Sequence, residues 1–163
     1  MTIVTPDPDE VLAKLATLQR LIADPASGSA VVAFENVPYT VSAADMPLFV
    51  NYVGPLTSSV VISSDHLGRT FNETRTYNMV LYHSPYGAGV EGEKMGLLTP
   101  YFKLVYDLFG KYPHLQNLGG IIDAKLANDT GATVVPFAGQ NYYGVRFALQ
   151  VTSKSRRPLG EDE

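Results

Sequence analysis

Three histidines, His66, His83 and His114, are the side chains best suited to hold a metal or move a proton near neutral pH. No two of them stand at a spacing that one helix or one strand would bring together, so they read as surface or rim histidines. Ser64, Asp65 and His66 are consecutive. A nucleophilic triad is assembled in space from separated segments, so adjacency does not make one, and the sequence has no Gly-x-Ser-x-Gly elbow. Gly87, Gly89 and Gly92 precede Lys94, as the glycines of a phosphate loop would. The spacing departs from the Walker pattern, however, and Met95 stands where a magnesium-binding Ser or Thr belongs. Phe109-Gly110-Lys111-Tyr112 fails the same test. Cysteine is absent, which removes disulfides, thiolate nucleophiles and Cys-based zinc sites. The residues thus point to no catalytic set, no metal and no cofactor. A rival expectation keeps a cleft lined by Asp65, His66, His83 and tyrosines, as in a small-molecule-binding domain or enzyme.

The totals bound the remaining classes. At 163 residues and 45% hydrophobic, the chain is one domain with a real core. A net charge of −4 argues against general affinity for a nucleic acid backbone. No apolar stretch approaches the roughly 20 residues that cross a bilayer, and the first residues lack the basic and apolar segments of a signal peptide. Asn72-Glu73-Thr74 and Asn128-Asp129-Thr130 match the glycosylation pattern, which has no consequence without secretion. Ten tyrosines stand against no tryptophan. Most suit core-edge packing, while Tyr86 and Tyr142 are expected to make contacts with a partner.

The elements that must position these residues follow from patterning. Asp7-Pro8-Asp9-Glu10 is a helix start, and Val11, Leu15, Leu18 and Ile22 continue as an apolar stripe to about Ala23. Ala30–Glu35 reads as a strand, Leu48–Val53 as a strand or short helix, and Gly54-Pro55 as a turn. Ser58–Ser63 and Thr70–His83 form an antiparallel hairpin, joined at Asp65–Arg69 with Gly68 placed for positive φ. Its polar part, Thr70–Thr76, is expected to extend past the core as an arm. Ser84–Gly92 is a glycine-rich loop. Thr99-Pro100 opens a second helix, with some helix expected ahead of it from Lys94 to Leu98; with Tyr101, Leu104, Val105, Leu108 and Phe109 it is apolar over more than half its circumference, and Gly110 and Pro113 stop it. Ile121–Ala127 and Ala132–Pro136 are short strands. Gln140–Thr152 closes the sheet with Tyr143, Val145, Phe147, Leu149 and Val151 on one face and Tyr142, Gly144, Arg146, Ala148 and Gln150 on the other. The expected fold is α+β: a mainly antiparallel sheet, an N-terminal amphipathic helix, a second helix packed on the sheet, and an extended hairpin arm. The domain is expected to span residues 1–153, with 154–163 a flexible tail.

This layout resembles the tail terminator, or tail completion, proteins of long-tailed bacteriophages. The resemblance rests on the helix Asp7–Ala23, the long hairpin, the apolar helix Tyr101–Phe109 running into Leu118-Gly119-Gly120-Ile121-Ile122-Asp123, and the closing strand Tyr143-Gly144-Val145-Arg146-Phe147-Ala148-Leu149-Gln150-Val151. It implies a structural virion protein and not an enzyme. Such a protein forms a homo-oligomeric ring, six-membered in that family, that caps the tail tube and joins it to the neck and head. Its partners would be other copies of itself, the tail tube protein and a neck or head-completion protein, with DNA sliding through the channel unread. Thr70, Asn72, Glu73, Thr74 and Arg75 of the arm, with Tyr86, Tyr142, Arg146 and Gln150, are the candidate contacts with a neighbouring subunit or the tube. The alternatives are another head–tail connector or tail tube ring, or the small-molecule-binding domain above.

Overall fold

The computed structural model of the chain describes residues 5–87, 89 and 91–160. Asp7 caps helix α1 (Pro8–Gln19) by accepting a hydrogen bond from the Asp9 amide. The helix stops sooner than Ala23 because the last turn tightens: the Leu21 and Ile22 amides donate to carbonyls three residues back. That turn swings Ile22 into the core and leads to strand β1 (Val32–Phe34). A 3₁₀ turn, Ala43–Asp45, precedes β2 (Leu48–Asp65), which pairs along its length with β3 (Gly68–Pro85).

After β3, Tyr86 and Gly87 turn away and α2 (Glu91–Gly96) leads into α3 (Thr99–Lys111). Residues 88 and 90 of the expected glycine-rich loop lie outside the described residues. Leu98, not Thr99, occupies the N-cap of α3, without a side-chain cap bond. The chain finishes with β4 (Ile121–Asp129), β5 (Thr133–Phe137) and β6 (Gln140–Pro158).

The six strands form one sheet in the order β1-β2-β3-β6-β4, with β5 pairing the first part of β6. All pairings are antiparallel except β1 with β2. This is the α+β architecture expected from the sequence.

Both long helices lie on one face. Val11, Leu15 and Leu18 of α1 and Tyr101, Val105 and Phe109 of α3 pack over Phe49, Met79, Leu81, Val145, Phe147 and Leu149. The alternation of β6 holds in the structure: Tyr143, Val145, Phe147, Leu149 and Val151 all face this core. Helix α3 buries a single stripe, Tyr101, Val105 and Phe109, where its composition suggested burial on more than one side. Leu104 and Leu108 are only partly covered and Tyr106 is exposed, because no second layer among the described residues covers the helix.

The opposite face carries a smaller core of Leu48, Val50, Val80, Tyr82, Val135, Phe137 and Tyr142. A buried polar contact ties α1 into the sheet. Gln19 and Asn51, both fully buried, exchange amide hydrogen bonds of 2.7 and 2.8 Å. At Gly144 the strands approach so closely that a Cβ would lie 2.0 Å from the Leu81 carbonyl oxygen. Glycine is required there by space, beside the bulge between Tyr82 and Ser84.

Three expectations about the hairpin are corrected. Gly54-Pro55 is no turn: β2 runs through it with register shifts on either side of Leu56. Pro55 is tolerated because this part of β2 is a sheet edge, where its missing N–H leaves no ladder bond unmade. Gly68 does not take positive φ; its Cβ would meet the Arg157 carbonyl oxygen at 2.5 Å, so close strand approach selects glycine. The segment from Lys154 to Pro158 is no flexible tail either. It continues β6 and pairs with Gly68–Asn72, because a polar strand is held by its backbone ladder whatever its composition.

Candidate subunit interface on the hairpin arm

Beyond the level of Glu73, where β4 ends its pairing with β6, strands β2, β3 and β6 run on together as a three-stranded arm. Its tip is closed by Asp65, whose Oδ1 accepts from the Leu67 and Gly68 amides at 2.8 and 3.0 Å. The Asp65 carboxylate also receives Arg156 Nη2 at 2.9 and 3.0 Å on its two oxygens. These hydrogen bonds, from Arg156 first and then from the turn amides, hold the carboxyl below its ordinary range.

Side chains zip the arm across its strands. On the helix side Arg157 pairs with Glu73 and stacks over the Phe71 ring, 4.8 Å from its centre. Arg75 Nη1 donates to the Gly54 carbonyl at 3.0 Å. On the other side Thr74 and Thr152 share a hydroxyl hydrogen bond of 2.8 Å, and Arg156 Nη1 donates to the Thr70 hydroxyl at 3.2 Å. The Asn72 side-chain oxygen is buried without a hydrogen-bond partner.

The expected contact residues separate into groups. Thr70, Asn72, Glu73, Thr74 and Arg75 lie on β3, which is the middle strand of the arm. Their backbone is paired on both sides, and Thr70 is buried outright. Tyr142 is buried as well, packed edge-on against Tyr82 with ring centres 5.6 Å apart in the smaller core. It is a packing residue, because β5 and the residues before β2 cover that end of the face. Arg146 and Tyr86 are exposed and Gln150 is half-buried. Tyr86 leans on Tyr143, so its ring is part surface and part support.

The rival cleft does not form. Asp65 and His66 sit at the tip of the arm and His83 at its root, roughly 50 Å apart along fifteen strand residues. His83 instead packs against Tyr101, whose hydroxyl donates to Asp24 at 2.7 Å. Burial pushes the His83 imidazole below its ordinary pKa, and nearby Lys94 pushes the same way against the opposing pull of Asp24. Burial would raise the Asp24 carboxyl, but hydrogen bonds from Tyr101, Ser27 and the Ala26 amide outweigh it and lower the value. Among the described residues, no group of three or more His, Asp or Glu side chains is placed to hold a metal ion.

No protein-family model and no curated protein matches this sequence.

The exposed feature that patterning did not single out is the outer strand of the arm. β1 covers β2 only from Leu48 to Val50. From there outward, among the described residues, no strand pairs the other side of β2, and this edge bears Val53, Leu56, Val60, Val61 and Ile62, each between 40% and 55% exposed. No residue from Val53 to Ser64 is charged. The uncharged run Ser58–Ser63 was visible in the sequence; that it lies at an edge was not.

Proposed function

We propose that this chain is a structural subunit of a phage tail, a tail terminator. In this reading copies form a closed ring, six-membered by the family resemblance, that ends the tail tube and joins it to the neck. The tail tube protein and a neck protein are its partners, and the virion is its place. The observation that carries the reading is the arm. A three-stranded extension with an apolar, uncharged edge leaves in a single copy a surface that soluble monomers normally blunt with charge. Oligomeric assembly covers such a surface. The closing strand and the Leu118–Asp123 segment on which the resemblance rests lie side by side as β6 and the start of β4.

The test is to add purified protein to polymerising tail tube protein and image the products by electron microscopy. Tubes that stop growing and carry a ring at one end are expected. Rings that stack into tubes by themselves would favour a tube or connector protein. Failure to associate with tube protein, together with binding of a metabolite, would favour the small-molecule reading; a groove of about 370 Å³ beside Asp24, Ser27 and Ser29 is the place such a ligand would occupy.

A further inference from the structure

The two outer edges of the sheet complement each other in level, polarity, face and surface chemistry. Successive pairings place Val53 opposite Tyr77, Tyr77 opposite Leu149, and Leu149 opposite Leu126. One row therefore crosses the sheet from the open edge of β2 to the open edge of β4. All four side chains belong to the helix-bearing face, since facing residues of neighbouring strands share a side. The β2 edge is covered by β1 only up to Val50, and β4 begins its pairing at Asp129, opposite Phe147 and thus level with Asn51. The free part of β2 and the edge of β4 occupy the same level of the sheet.

Their directions also match. Three antiparallel pairings separate β2 from β4, so the two run in opposite senses. A second copy standing beside the first in the same orientation would thus present its β2 antiparallel to β4. On its outer side, β4 has its Ala124 amide engaged by the Pro113 carbonyl at 2.7 Å. Leu126, two residues on, turns its backbone groups to the same outer side. Beside it, between α3 and β4, runs a mostly apolar groove of about 260 Å³ lined by Tyr106, Phe109, Pro113 and Leu126, with Asp123 and Lys125 on its β4 wall. It opens on the face that bears Val53 and Leu56.

We propose that the free edge of β2 of one copy adds as a strand to β4 of the next, with Val53 beside Leu126 and Leu56 in the groove under α3. The occupant is a second copy because the matching edge, at the matching level and on the matching face, is carried by the chain itself. The contact joins two different surfaces, so each copy keeps one of each free and the association propagates head to tail until it closes. This deepens the ring reading by assigning its joint, and rests on that reading only for closure.

The absence of cysteine allows a direct test. In one copy Val53 and Leu126 are separated by three strand spacings, roughly 14 Å, too far for an internal disulfide. The double variant Val53→Cys/Leu126→Cys should therefore cross-link only between copies. A reducible ladder of dimer, trimer and higher species is expected on oxidation, with neither single variant cross-linking. Leu56→Lys, at an exposed position, should keep the circular dichroism of the parent and weaken association at least tenfold by sedimentation. Dimers from Val53→Cys alone would mean that two β2 edges meet, and would overturn the proposal. Oligomers that form without any ladder would place the joint elsewhere and leave the ring reading standing. A chain that stays monomeric without a ladder at all concentrations also overturns the joint, and tube capping then decides the terminator reading separately.

Discussion

Phe147 and Arg146 are neighbours on β6 with opposite surroundings. Phe147 is fully buried among Phe102, Tyr106 and the helix-side core, while Arg146 is exposed. Phe147→Asp would bury an unpaired charge and should cost more than about 4 kcal/mol, enough to unfold the domain in a thermal melt. Arg146→Asp should change stability by no more than about 0.5 kcal/mol in the same melt. Asp65 gives a second residue-scale expectation. Its carboxyl is lowered from 3.8 by Arg156 and the turn amides, so its contribution to the tip is complete above that value and is lost as pH falls through the lower folded value. Amide exchange at Leu67 and Gly68 should accelerate across that acidic window. An Asp65→Ala variant, which lacks the accepting oxygen, should show fast exchange at neutral pH and no comparable acid step.

At the scale of elements, the arm depends on its third strand. Two strands alone form a hairpin of marginal stability in water. Lys154–Pro158 supplies the ladder partners of Gly68–Asn72, together with the Arg156 and Arg157 contacts. A chain ending after Ser153 should keep its helices and body, with near-parent circular dichroism, while the amides of Arg69 to Asn72 lose most of their exchange protection. Unchanged protection there would show that β2 and β3 hold the arm without β6. The element boundaries explain why the sequence undersold this strand. Its residues are polar and follow a clean apolar alternation, so patterning ends at Thr152. The backbone ladder that continues it leaves no mark in side-chain type.

For the whole molecule, the proposed joint sets an uncharged strand, Val53 to Ser64, against a β4 edge that carries Asp123, Lys125 and Asp129, so no charge pair spans it and its response to salt is small. Association through it should change by less than about threefold between 0.1 and 1 M sodium chloride, since screening acts on charges and the Debye length is already near 10 Å at the lower value. A fall of more than about tenfold in a sedimentation series would assign the contact to the arm's Arg and Lys residues instead.

The sequence by itself determined what is local and periodic: the capped helix at Asp7, the long hairpin, the two faces of β6, and the α+β class. Each rests on spacing that side chains must keep along a helix or strand, so it can be read without knowing the neighbours. Only the tertiary structure decided which strands are central and which are edges. That depends on pairings between residues far apart in the chain, such as Asn72 with Lys154. It therefore moved the candidate interface from Thr70–Arg75, walled in between two strands, to Val53–Ile62 on the open edge of β2. It also withdrew Tyr142 into a second core, because burial on the far face is set by what β5 and the residues before β2 cover.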